Sequence, residues 1–164
     1  MSVGGPAWHI DCTTDKHVDV LGFTKKHQIS DVQIGGGTTA HDLPDGRTIL
    51  LKANEATMLN DESASLASAM QMQENQFSVD QTSKKIDGFP HIEVDGTTIP
   101  PQLSKGLLTI PIRTPTAHEL QTCETINLAS EDPWDPNQIN DAEISADLHN
   151  DFCKNKQTRH ACAK

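Results

Sequence analysis

Asp11, Asp15 and Asp19 recur at intervals of four, and carboxylates at close range can do acid–base chemistry. A water-activating acid pair needs each Asp in a tight Asp-Thr-Gly or Asp-Ser-Gly loop. There the Gly lets two loops meet and the two carboxylates share one proton. Neither triplet occurs in this sequence. Asp11-Cys12-Thr13 has the acid without the Gly, and Asp95-Gly96-Thr97 reads as a hairpin turn. The Asp11–Asp19 stretch reads as strand, where a spacing of four carries little meaning, so these acids are expected on a solvated surface. With no catalytic loop, the chain's carboxylates in general are expected to face solvent at ordinary pKa values.

Other chemistries are also incomplete. Gly35-Gly36-Gly37-Thr38-Thr39 lacks the Lys that a phosphate loop places before its Ser or Thr, so it reads as a flexible loop or bulge between strands. His9, His17, His27 and His41 have no metal-ligand spacing, and surface positions are expected for them. Cys153, His160 and Cys162, with His149 nearby, form a loose Cys/His group. Lys154, Lys156 and Arg159 oppose a cation there, so free thiols on a disordered end are expected. There is no Gly-x-Ser-x-Gly elbow. The residues therefore assign no catalytic, cofactor-binding or metal-binding position.

The elements that would carry such residues read as mainly β. Val18-Asp19-Val20-Leu21-Gly22-Phe23 and Thr48-Ile49-Leu50-Leu51-Lys52-Ala53 are strand-like, the second following a Pro44-Asp45-Gly46 turn. Ile92-Glu93-Val94 and Thr97-Thr98-Ile99 flank Asp95-Gly96 as a hairpin. Gly106-Leu107-Leu108-Thr109-Ile110 reads as a final strand ended by Pro111. Ser65–Met72 reads as a helix with Leu66, Met70 and Ala69 on one face. Thr116-Ala117-His118-Glu119 matches a capping box opening a second, short helix.

Charge divides the chain. It has 13 Lys plus Arg against 23 Asp plus Glu, a net charge of -10. Such a surface repels phosphate backbones and disfavours nucleic-acid binding by the whole chain, so no nucleic-acid partner is expected. Leu, Ile, Val and Phe make up about a fifth of the residues, near the border for building a core. From Glu119 to Asp151 there are nine acids and no Lys or Arg. A folded β domain is therefore expected over 1–118 and a mostly disordered acidic tail over 119–164. Apolar runs are too short to span a membrane, and the first residues lack the features of a signal peptide. A cytoplasmic chain with reduced Cys12, Cys123, Cys153 and Cys162 is expected.

The order of the pieces resembles a known family. Val3-Gly4-Gly5-Pro6-Ala7-Trp8-His9-Ile10 and Thr13–Phe23 are similar to the aspartic-protease (retropepsin-like) region of LTR-retrotransposon Pol polyproteins found in microalgal genomes. The resemblance continues through Thr38–Gly46, Ser65–Met72, Ile99-Pro100-Pro101-Gln102-Leu103, Ile112–Leu120 and Asp132-Pro133-Trp134-Asp135-Pro136. It covers roughly residues 3–136 in one consistent order. It implies a small retropepsin-like β-barrel remnant, N-terminally truncated just after the family's Asp-Ser-Gly-Ala-Asp-Thr loop. No position here matches a family catalytic residue, so it implies an inactive fragment rather than an aspartic endopeptidase. Exposed strand edges would then offer a homodimer or protein-partner contact. A β-rich interaction module is the alternative, and an active aspartic protease working through Asp11 comes last.

Overall fold

The computed structural model describes residues 1–21, 28–59 and 65–131, which belong to one compact unit, Met1–Pro133. The fold is mainly β. The first strands are β1 (Ser2–Gly4), β2 (His9–Leu21), β3 (Gln28–Asp42) and β4 (Thr48–Leu59). After them come helix α1 (Ala69–Glu74), β5 (Ser78–Asp80), β6 (His91–Val94) and β7 (Thr97–Ile99). A hairpin of β8 (Gln102–Ser104) and β9 (Leu107–Thr109), the short helix α2 (Glu119–Thr122) and β10 (Thr125–Asn127) complete the order. Strands β2, β3 and β4 form an antiparallel meander. Strands β1 and β10 both run parallel to β4 along its other edge. Among the described residues these sheets stay open and do not close into a barrel. No described helix is long and apolar enough to cross a membrane.

One bulge explains how β4 holds two strands on one edge. Near its start, the Leu50 N–H donates to the Glu124 carbonyl, and the Lys52 carbonyl accepts from Leu128, so even-numbered residues face β10. Near its end, the Thr57 N–H donates to the Met1 carbonyl, so odd-numbered residues face β1. The phase changes where Gly35 pairs with Ala56 and Gly37 with Ala53, which leaves Asn54 and Glu55 opposite Gly36. An extra residue in one strand reverses its outward side in this way.

Of the two readings of Gly35-Gly36-Gly37, a flexible loop or a bulge, the structure shows the bulge and corrects the loop. The run is buried in the middle of β3, between β2 and β4. A Cβ on Gly35 would lie 2.6 Å from the Cys12 carbonyl oxygen, and one on Gly36 would lie 2.9 Å from that of Asn54. Close approach of three backbones, rather than flexibility, is what the glycines serve.

The core lies between the buried face of β4 and the β5–β6–β7 sheet. Ile49, Leu51, Met72, Phe77, Ile92, Val94 and Ile99 form one cluster, joined by Ile126 and Leu128. The Asp95-Gly96 hairpin stands as expected, with Ile92 opposite Ile99 and φ of 48° and 76° at the turn. The first helix begins later than the Ser65–Met72 expectation. Leu66 exchanges two backbone bonds with Ser2 at 2.9 and 3.0 Å, which holds it extended. Ser68 then caps the helix, Met72 is its buried residue, and Leu66 and Met70 are exposed.

The boundary at residue 118 is also corrected. Residues 119–131 belong to the fold through α2 and β10, and Ile126 and Leu128 are buried. The alternation of these two apolar side chains, set beside β4, outweighs the acidity around them. The rest of the expected acidic tail, from residue 132, lies outside the described residues. Nor is Gly106–Ile110 the last strand, since β10 follows it.

The bulge makes a direct prediction. Gly36→Ala should destabilise the protein by about 1–3 kcal/mol, because both flanking carbonyls resist the methyl group. Thr98→Ala, at an exposed position, should stay within about 0.5 kcal/mol of wild type. Urea unfolding of both variants checks this, and a Gly36→Ala protein as stable as wild type contradicts the account.

Candidate functional site

The densest polar cluster joins chain segments far apart in sequence. Residues 111–114 run beside β3 where β2 turns away. Ala40 and Arg113 exchange backbone bonds at 2.9 and 3.0 Å, and the Thr39 hydroxyl shares its one hydrogen between the Ala7 and Arg113 carbonyls, 2.9 and 3.1 Å away. This backbone placement aims the Arg113 side chain at two acids. Nε and Nη2 donate to the Asp42 carboxylate at 2.9 and 2.7 Å. Nη1 and Nη2 donate to Glu119 at 2.9 and 2.7 Å. The planar fork of Arg suits such bidentate contacts, and charge-assisted bonds of this kind are the strong ones.

Local chemistry sets each acid in place. Asp42 ends β3 and also accepts from the Thr48 hydroxyl at 2.8 Å. Glu119 takes part in the capping box read from the sequence. Its carboxylate accepts from the Thr116 N–H at 2.7 Å, and its own N–H donates back to the Thr116 hydroxyl at 3.2 Å. The Arg113 hydrogen bonds, aided by Thr48, lower the Asp42 pKa to about 2. Arg113, with the Thr116 N–H, lowers Glu119 to about 2 as well. The two acids raise the Arg113 pKa in turn. These acids depart from the expectation of ordinary carboxylates. They meet as anions on a shared cation, an arrangement that holds chain segments together and leaves no proton to share.

The residues singled out from the sequence are dispersed. Asp11, Asp15 and Asp19 lie on the exposed β2, as expected. Asp11 accepts from the Thr38 hydroxyl at 2.6 Å, and the His9 Nε2 lies 4.0 Å away from its other oxygen. Here the carboxylate sits between hydroxyl and imidazole, the reverse of the order that activates a nucleophile, where the imidazole takes the hydroxyl proton. His9, Asp11, Thr38 and Lys52 border a shallow open cleft of about 330 Å³. Asp95 and Gly96 form the exposed turn of their hairpin.

His17 is exposed, whereas His41 departs from the surface expectation. It is 3% exposed, and its Nδ1 lies 2.8 Å from the Pro111 carbonyl oxygen. The ring therefore pins residues 111–114 to β3 from the core side. His27, His149, Cys153, His160 and Cys162 lie outside the described residues. Among the described residues, no three His, Cys, Asp or Glu side chains converge as a metal ion would need.

Sequence reasoning found the Thr116–Glu119 half of the Arg113 cluster, because a capping box is local. It missed Asp42 and Arg113, which are separated by 71 positions and carry no joint motif. Compared with protein-family models, with curated proteins and with solved structures, the chain matches none.

The cluster carries a pH signature. Both acids titrate lower when folded than the ordinary values of about 3.9 and 4.3, so their contribution is present above that range. It is lost as the pH falls through about 2. The wild-type denaturation midpoint should therefore drop between about pH 4.5 and 2. Arg113→Gln should have a lower midpoint at pH 5 and a shallower drop. Equal slopes for the two proteins in urea titrations would count against the cluster.

Proposed function

We propose that this chain is a non-catalytic β region derived from the aspartic-protease part of a retrotransposon Pol polyprotein. Support for the origin is the ordered series of motifs, which falls on successive elements. Val3–Ile10 spans β1 and the start of β2, Thr38–Gly46 runs from β3 into its turn, and Ile112–Leu120 contains Arg113 and the capping box. Support for the absence of catalysis is the sequence, which holds no Asp-Thr-Gly or Asp-Ser-Gly.

The observation that carries the non-catalytic reading is the geometry at Asp42 and Glu119, each taking two hydrogen bonds from Arg113. An acid pair that activates water works because one member keeps a proton near the working pH. These two are both held ionised by Arg113, with pKa values of about 2. Asp11 lies within β2 rather than on a loop, and Cys12 and Thr13, next along the strand, bring side chains where bare backbone is needed.

A second reading, a β-rich interaction module, is favoured by one feature. The β8–β9 hairpin leaves Leu103, Leu107 and Leu108 in solvent. Such a surface is more useful in a binding domain than in an isolated fold.

The test is proteolysis of a fluorogenic peptide library between about pH 4 and 7, a range in which coupled acid pairs operate. The chain should show no turnover above background, and Asp11→Asn should be indistinguishable from wild type. Turnover blocked by a transition-state-mimicking aspartic-protease inhibitor would overturn the reading.

A further inference from the structure

The β8–β9 hairpin is joined by Lys105-Gly106, with φ of 50° and 83°, the two left-handed positions of a type I′ turn. In a two-residue hairpin the flanking pair, Ser104 and Leu107, is hydrogen-bonded. The next pair, Leu103 and Leu108, is not. The N–H and C=O of Leu103 and Leu108 therefore point away from the hairpin, one set on each edge. Among the described residues no strand lies against either edge. The β8 edge is blunted by Pro100-Pro101 just before it, since proline offers no N–H. Among the described residues no strand pairs with the donor and acceptor of Leu108 on the β9 edge.

The side chains are equally uncovered. Leu103 is 75% exposed, Leu107 69% and Leu108 39%, so both faces of the hairpin present leucine. A lone two-stranded hairpin is marginal in water and gains from a third strand.

Charge points to what that strand is. In a chain of net charge -10, most contacts between two copies bring carboxylates together. From Gly96 to His118, however, there is no Asp or Glu, and Lys105 and Arg113 are the charged residues. Arg113 is already engaged by Asp42 and Glu119. The segment that carries the hairpin therefore brings no carboxylate of its own to a second copy.

We propose that the hairpin is a self-association arm, in which β9 of one copy pairs antiparallel with β9 of another around Leu108. Each Leu108 donates its N–H to the carbonyl of the other, a self-complementary contact about a twofold axis. The product is a four-stranded sheet. Leu103 and Leu108 of both copies line one face, and both Leu107 side chains lie on the other. This inference deepens the second reading above, an interaction module, and does not rest on the retrotransposon origin.

Sedimentation and light scattering of the full chain, over a range on the order of 1–200 μM, test it. The mass should rise from 17.9 kDa toward twice that value with concentration. Leu108→Lys and Leu103→Lys alter exposed positions, and each should weaken association by about tenfold or more, with unchanged thermal unfolding of the dilute protein. Hydrogen exchange supplies a check that needs no variant. The Leu108 amide should exchange freely in dilute protein and slow as concentration rises. A chain that stays at 17.9 kDa throughout overturns the proposal, as does a dimer that keeps its affinity in both variants. So does a Leu108 amide whose exchange ignores concentration.

Discussion

A single guanidinium ties the end of β3 to the start of α2. Arg113 bonds Asp42 at the end of β3 and Glu119 at the start of α2, while its backbone continues the edge of β3 through Ala40. That tie sets where the segment beyond Glu119 begins, and further along Asn75 Nδ2 donates to the Asn127 carbonyl at 2.7 Å. The chain must be delivered to the edge of β4 at the right height for Glu124 and Leu128 to bond Leu50 and Lys52. Only in that register do Ile126 and Leu128 enter the core beside Ile49 and Leu51. A three-residue strand has too few ladder bonds to hold itself, so its placement must come from outside it. Exposed ion pairs are usually weak. Here one cation serves two anions, each further fixed by a threonine, Thr48 for Asp42 and Thr116 for Glu119.

The same tie limits the chemistry of these two acids. A cation between two carboxylates stabilises both negative charges, and it removes the proton through which an acid pair would work. Structural and catalytic uses of such a pair exclude one another at this site. The polar neighbours on β2 do not replace it. The Thr38 hydroxyl donates to Asp11, and His9 stands on the far side of that carboxylate, so the imidazole does not meet the hydroxyl.

Local signals in the sequence located local structure. Asp95-Gly96 specifies a turn whose twist suits a hairpin, and Thr116-x-x-Glu119 specifies a helix start, and both stand in the fold. The misread elements are those whose reason lies elsewhere in the chain. Gly35-Gly36-Gly37 has the composition of a loop, but its purpose is the close approach of Cys12 and Asn54, which no window of sequence contains. His41 looks like a polar surface residue until Pro111, 70 positions away, supplies an acceptor for it. Thr125–Asn127 lies in an acidic stretch, and its strand exists because β4 has a free edge there. The Arg113 cluster was half legible for the same reason, with Glu119 announced by its cap and Asp42 by nothing nearby.

Native-state hydrogen exchange on Arg113→Ala examines the tie most directly. The Leu50 and Leu128 amides donate to Glu124 and Lys52 across the β4–β10 contact, whereas the Ile99 region belongs to the separate β6–β7 hairpin. If Arg113 delivers β10 to β4, the substitution should speed exchange at Leu50 and Leu128 while leaving the amides of β6 and β7 close to their wild-type rates. Unchanged protection at Leu50 and Leu128, or an equal loss of protection throughout the fold, would contradict the central role given to this one side chain.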